Sequence, residues 1–177
     1  MNKDNDKDKD KNNDINKDIL NINTENINIF HVTKKFSNLL YYNKNINIHI
    51  DNIFIPFGIE KYNNKIILNI ELIESNNNNN IISKIDSIEN QLEKHFKNIG
   101  LIKSLKKSKL GYILRTHFMK LTECYILKKN EEKIIIDESN LQNTECEINL
   151  LIKGIWITEN NYGLYIIINN IRVIKFN

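Results

Sequence analysis

Between Lys94 and Lys120 the chain carries eight basic residues (Lys94, Lys97, Lys103, Lys106, Lys107, Lys109, Arg115, Lys120) and no acidic one. The rest of its 177 residues carries seventeen basic against twenty-two acidic, so the whole positive balance sits in this segment. Local cationic excess is what a phosphate backbone selects, because each neutralised phosphate releases a condensed counterion. Single strands also need π-faces on which bases can stack. The segment offers Tyr112, His117 and Phe118 among Lys103, Lys106, Lys107, Lys109, Arg115 and Lys120. If "YILRTHFMKL" is a strand, Arg115, His117 and Met119 share one face and Leu114, Thr116 and Phe118 the other. Arg115 and His117 then point together at a ligand while Phe118 turns to the core. Tyr112, beside "KKSKLG", is open to either edge packing or stacking. A merely solvated charge run is the competing reading.

Other chemistry is thinly represented. The chain contains no GxSxG, HExxH, GxGxxG or GxxxxGK[ST] pattern. His31, His49, His95 and His117 are isolated, and with Cys124 and Cys146 they form no recognisable ligand spacing, so no metal or cofactor is expected. His49 falls on the polar face of its strand. Glu60, Glu71, Asp137 and Glu138 could pair as acid and base, as carboxylates in any protein could. The expectation is a binding protein, not an enzyme. The two cysteines lack CxxC spacing and read as free thiols of a reducing compartment. No apolar run reaches membrane-spanning length, and "MNKDNDKDKDKNND" is the opposite of a signal-peptide core, so a soluble, intracellular protein without a membrane partner is expected.

The elements that must position these groups follow from periodicity. The chain has 35 Ile, 33 Asn and 23 Lys and no Ala, a bias that A/T-rich codons explain and that discounts scattered Lys and Asn. Residues 1–18 lack an apolar period and read as a disordered tail, leaving 19–177 as one β-rich domain. "ILNINTENINI" begins to alternate as an edge strand. "NINIHID" puts Ile46, Ile48 and Ile50 on one face, and "KIILNIEL" does the same with Ile66, Leu68, Ile70 and Leu72. Pro56 and Gly58 mark a bend between them, and 61–64 a hairpin loop. "SNNNNN" reads as a drifted loop. Ile81, Ile85, Ile88, Leu92 and Phe96 then recur at helical steps, which predicts one helix over about 81–97, stopped by Gly100. "LIKSLKKSKLG" reads as a basic linker. "ECYILKK" and "KIIID" pair around 129–132, and "DESNLQNTE" is a loop. The class is mainly β: a small barrel or sandwich of antiparallel strands with one inserted helix.

The chain closes on a long hairpin, "CEINLLIKGIWIT" and "YGLYIIINNIRVIKF", which holds the one tryptophan. Simple alternation groups Ile148, Leu150, Ile152, Gly154 and Trp156 on one face, which makes Trp156 core. Its place at a barrel rim beside Tyr162 leaves a stacking platform open as well. Tyr165 opposes the face of Leu164, Ile166 and Ile168, and the alternation breaks at Asn169-Asn170, where a bulge is expected.

"KGIWITENNYGLYIIINNIRVIKF" resembles the closing hairpin of single-stranded-DNA-binding proteins of DNA viruses and phages, in which Gly-x-Trp or Gly-x-aromatic, a short polar turn and Tyr-Gly-Leu or Phe-Gly-Leu complete an OB-type barrel. "IFIPFGIEKYNNKIILNIEL" is similar to the Pro-Phe-Gly turn and strand of proteins of large DNA viruses. The resemblance spans about Ile46 to Phe176. It implies non-sequence-specific binding of single-stranded DNA in viral replication, recombination or repair, without a cofactor. RNA as a ligand and homo-oligomer formation are left open. It also implies a location at a viral replication site in the host cytoplasm, or in the virion. The sites expected to touch nucleic acid are Lys103, Lys106, Lys107, Lys109, Tyr112, Arg115, His117, Lys120, Trp156 and Tyr162. Phage members typically end in an acidic tail, where this sequence reads "IRVIKFN". The alternative is a viral structural or assembly β-protein with no nucleic-acid role.

Overall fold

The computed structural model describes residues 16–62 and 65–177. Its strands are β1 (Asn16–Asp18), β2 (Ile27–Thr33), β3 (Phe36–Tyr41), β4 (Asn45–Ile55), β5 (Ile59–Tyr62), β6 (Lys65–Ile73), β7 (Gly100–Leu101), β8 (Leu105–Lys107), β9 (Gly111–His117), β10 (Glu123–Leu127), β11 (Lys133–Ile135), β12 (Thr144–Ile157) and β13 (Asn161–Phe176). One α-helix, α1 (Asn76–His95), lies between β6 and β7.

Five long strands close a ring in the order β4-β6-β9-β13-β12, with β12 pairing back to β4. Counted along the chain, that ring runs first, second, third, fifth, fourth. Its inward positions are Ile46, Ile48, Ile50, Leu68, Ile70, Leu72, Leu114, Ile148, Leu150, Ile152, Ile166 and Ile168, all at or near zero exposure. Burial of such branched side chains stabilises by about 1.5–3 kcal/mol each. A small closed ring leaves no interior space beyond what side chains fill. The ring, its Greek-key order and the single helix make this an OB-like barrel, the expected β-rich class.

The strands are not all antiparallel. Four pairings run parallel: β1–β4, β10–β13, β7–β13 and β9–β13. At least one is forced, because an odd number of strands cannot close a ring in which every neighbour is antiparallel. Here the odd seam is β9–β13, held by the single pair His117–Ile167. The crossing segment 100–107 spans the gap, with β7 on β13 and β8 on β9. The basic "linker" is therefore partly strand.

The helix starts earlier than its apolar period suggests. Ser75 is the N-cap and accepts from the Asn78 amide at 3.1 Å, so the Asn run forms the first turns, not a loop. Asn78 is buried and donates to the carbonyls of Ile73 (2.8 Å) and Asn52 (3.4 Å), a fixed role that compositional drift hides. Helical Ile81, Ile85, Ile88 and Leu92 pack into the core together with Ile19 and Ile22. The C-cap is Phe96, whose amide donates to Leu92; Gly100 starts β7 instead of stopping the helix.

Other expectations meet the structure unevenly. The alternation from Ile19 resolves into two 3-10 turns and then the edge strand β2, with β3 beside it. The tail expected to be disordered lies outside the described residues except for Asn16–Asp18, which form β1 on β4. The β5–β6 and β10–β11 hairpins are present, although Asn63 and Asn64 at the first turn lie outside the described residues. Asn169 is the extra residue of a bulge, since Asn149 pairs with Asn170 and Leu150 with Ile168. Among the described residues no helix is long and apolar enough to cross a membrane.

Candidate nucleic-acid interface

A second bulge decides where the tryptophan goes. The β12–β13 register shifts between Ile152 and Gly154, with exposed Lys153 as the extra residue. Inward positions change from even to odd across it: Ile148, Leu150 and Ile152 are fully buried, and then Ile155 is. Trp156 is thus turned to the outer face, where it is half-buried. The core reading for Trp156 fails because alternation carried through a bulge gives the wrong phase.

Two glycines on that outer face make room for rings. Trp156 pairs with Gly163 across the hairpin and with Phe36 on β3. A Cβ on Gly163 would stand 2.8 Å from the indole Cζ2, so the indole rests on the bare backbone. A Cβ on Gly154 would stand 2.7 Å from the Phe36 Cζ, which places that ring over Gly154. Tyr165, paired with Gly154, meets Phe36 edge-on at 6.0 Å and His117 at 4.5 Å. Phe36, Tyr165 and His117 therefore form a contiguous aromatic row beside Trp156.

The row borders a cleft of about 450 Å³ at the β9–β13 seam. Lys65 and Ile67 of β6, Arg115 and His117 of β9, Lys103 and Ser104 of the crossing segment, and Trp156 form most of its walls. Thr158 and Asn161 of the β12–β13 turn close one side. A shallower hollow of about 230 Å³ shares Lys65 and His117 and continues the groove past Met119, Lys120 and Tyr165. Among the described residues four cations, Lys65, Lys103, Arg115 and Lys120, line the combined groove, and no carboxylate does. Lys103 contacts Asp86 at 3.4 Å; Lys65, Arg115 and Lys120 form no ion pair among the described residues. The field is felt by His117, whose pKa is lowered to about 4 by burial first, then by Lys65 and Arg115. Its imidazole is neutral at neutral pH, a flat polarisable face among positive charges.

Beneath the groove, α1 holds the crossing segment in place. The Ser104 amide donates to Glu89 Oε1 at 2.7 Å. Glu89 is fully buried, and desolvation raises its pKa above the usual carboxylate range.

Of the residues expected at the interface, Lys103, Arg115, His117, Lys120 and Trp156 come together in this groove. The others do not. Tyr162 is 1% exposed and packs on Phe96 at 4.7 Å, because it pairs with inward-facing Ile157 beneath the helix. Tyr112 shares the inward phase of Leu114 and Thr116 and packs at the edge of the core. Lys106, opposite Ile113, lies on the outer face beyond Arg115. Lys107, opposite Tyr112, and Lys109, in the following turn, lie farther away, and none of the three lines the groove. Phe118 is buried, as its phase predicts. Sequence reasoning missed Lys65, Phe36 and Tyr165. Gly154 and Gly163, each two residues before an aromatic (Trp156 and Tyr165), were the available signal for the aromatic ones.

No family profile matches the chain, and no curated protein matches it by sequence. Its fold is similar to that of a single-stranded DNA-binding protein from bacteriophage Enc34, with a TM-score of 0.52 at 11% identity over 85% of this chain and 90% of that one. The same phage protein in complex with single-stranded DNA gives 0.49 at 11% identity, covering 86% and 97%. A C-terminal truncation of it gives 0.48 at 14%, covering 88% and 98%. At such identity the likeness is one of fold.

Proposed function

We propose that the protein binds single-stranded nucleic acid, DNA in the first place, along the groove at the β9–β13 seam. The observation that carries this reading is the groove itself, four cations without a carboxylate beside an aromatic row. Its location supports the same conclusion. OB folds bind oligonucleotides on the face of their second and third strands, between the loops joining first to second and fourth to fifth. Here those strands are β6 and β9, and the flanking features are Lys65 and the β12–β13 turn. The fold shared with the phage protein adds weight.

The division of labour follows from chemistry. Lys65, Lys103, Arg115 and Lys120 meet phosphates, while Trp156 and Tyr165 present faces to bases, each stack worth about 1–3 kcal/mol. Unpaired bases reach those recessed faces, and stacked duplex bases do not. Charge and π-faces dominate over base-edge donors, so sequence preference is weak. A role in replication, recombination or repair of a DNA virus or phage follows as the setting for such an activity. A fluorescence titration with single-stranded and duplex oligonucleotides at two salt concentrations tests the reading. Tighter, salt-sensitive binding of the single strand is expected. Equal or tighter duplex binding refutes the single-strand reading, and no binding at all sends the protein to the structural and assembly class.

A further inference from the structure

Outside the groove, the β4–β12–β13 part of the sheet carries a second cluster. His49 of β4, Asn149 of β12 and Asn170 of β13 sit in one cross-strand row, His49 paired with Asn149 and Asn149 with Asn170. In the next row Glu147 pairs with Arg172. Between Ile50 and Ile53 the chain of β4 bulges: two residues, Asp51 and Asn52, stand opposite Glu147 alone. That extra residue brings Asp51 beside Glu147 on the outer face, next to His49. One ligand atom from each of His49, Asp51 and Glu147 falls within 4.8 Å of the other two.

The hydrogen bonds orient all three. Asn149 Nδ2 donates to Asn170 Oδ1 at 2.9 Å, which turns Asn149 Oδ1 toward His49 Nδ1 at 2.7 Å. With Nδ1 donating to Asn149, the opposite ring atom Nε2 is the one that meets Asp51; without a cation it donates a hydrogen bond to Asp51, and a bound metal ion takes that proton's place. Nε2 faces Asp51 Oδ1 at 2.8 Å and Glu147 Oε1 at 3.8 Å. Arg172 engages the other Glu147 oxygen, Oε2, at 2.9 Å and leaves Oε1 aimed inward. Nε2 and two carboxylate oxygens thus lie within 4.8 Å of one another. A proton on Nε2 would satisfy Asp51 only, since 3.8 Å is beyond hydrogen-bond reach of Glu147. A divalent cation would satisfy all three.

We propose that His49, Asp51 and Glu147 form a zinc-class divalent-metal site. Zinc takes imidazole nitrogen at about 2.0–2.1 Å and carboxylate oxygen at about 2.0–2.2 Å, which sets tetrahedral ligand separations of roughly 3.3–3.5 Å. The two distances from Nε2, 2.8 and 3.8 Å, bracket that value, so each ligand moves by about half an ångström. Asn149 is the outer partner that fixes the imidazole, the role hydrogen-bonded neighbours play at metal-ligating histidines. With Arg172 and a neutral imidazole, the two carboxylates leave one net negative charge for the cation to meet. Three protein ligands leave a fourth position open to water or to a partner's side chain. Glu147 is nine residues from Trp156 along β12, roughly 30 Å of strand, so the site stands apart from the groove.

The test uses the full chain, stripped with a chelator and titrated with Zn²⁺ alone, by calorimetry and by competition with a zinc indicator. Saturation at one equivalent is expected. Asp51→Asn and His49→Gln should each weaken it at least tenfold, and Asn149→Leu by about 10–100-fold. These positions are outward-facing, and the circular dichroism of each variant should match that of the parent. On the parent protein, long-range nitrogen NMR should show the His49 Nε2 resonance moving with added Zn²⁺ and those of His31, His95 and His117 staying in place. No saturable binding to the parent overturns the proposal. So does zinc binding that survives both Asp51→Asn and His49→Gln, or a titration that leaves the His49 resonance unmoved.

Discussion

Replacing Trp156 by Ala separates binding from folding, and the structure sets the size of each effect. The indole is half-buried on the outer face, with one side on the backbone of Gly163. Tyr162, next to Gly163, is instead enclosed beneath α1 at 1% exposure. Truncating an enclosed aromatic costs about 3–5 kcal/mol, so Tyr162→Ala should melt far below the parent. Trp156→Ala gives up contacts on one ring face only and should cost about half as much. Affinity for a single-stranded oligonucleotide should behave the other way. Loss of one stack removes about 1–3 kcal/mol, which is about 5- to 150-fold in Kd. The assay is a thermal melt and an anisotropy titration on the same preparations, read at a temperature where both variants are folded. Tyr162→Phe, which keeps the ring, should bind as the parent does. The reasoning is refuted if Trp156→Ala binds within about twofold of the parent, or if it loses as much stability as Tyr162→Ala.

Four groove cations should give a slope of log K on log salt of about −3, at about −0.7 per contact on single strands. Lys65→Ala should flatten that slope by about one contact, whereas the triple Lys106, Lys107, Lys109 to Ala variant should change it less; the reverse ranking would relocate the interface to β8. The depressed pKa of His117 makes stability pH-dependent: the unfolded chain binds a proton below about 6.5 that the folded chain takes up only near 4. Stability should be complete above pH 6.5 and fall by roughly 2–3 kcal/mol as pH drops to about 4. His117→Phe should remove that part of the decline in denaturant melts, and an unchanged profile would contradict it. Bound phosphates should favour the imidazolium, so oligonucleotide binding at pH 5 should take up protons, measurable as buffer-dependent heat. Ser75→Ala should cost about 0.5–2 kcal/mol by uncapping α1, and a melt unchanged by it would mean that the Asn run needs no cap.

Local periodicity determined much of this protein by itself. Period two in "NINIHID" and "KIILNIEL" and period near 3.6 from Ile81 to Phe96 are consequences of side chains alternating on strands and recurring on helices, and both need only neighbours along the chain. The charge step at Lys94–Lys120 was equally legible, and it marked one wall of the groove. What local pattern does not encode is phase across a bulge. A single extra residue at Lys153 puts Ile155 inside and Trp156 outside, and the bulge falls where β12 changes partner from β4 to β3 while still paired with β13. The Asn run is helical for a similarly non-local reason: Asn78 is held by carbonyls at Ile73 and Asn52. Lys65 and Tyr165 enter the groove from β6 and β13, strands on either side of β9 in the ring, across a seam that an odd number of strands compels to be parallel. His49 and Glu147 stand nearly a hundred residues apart, and their spacing carries no signal at all. They converge because β4 and β12 pair over most of their length, and sheet register, not sequence separation, decides which side chains can share a cation or a base.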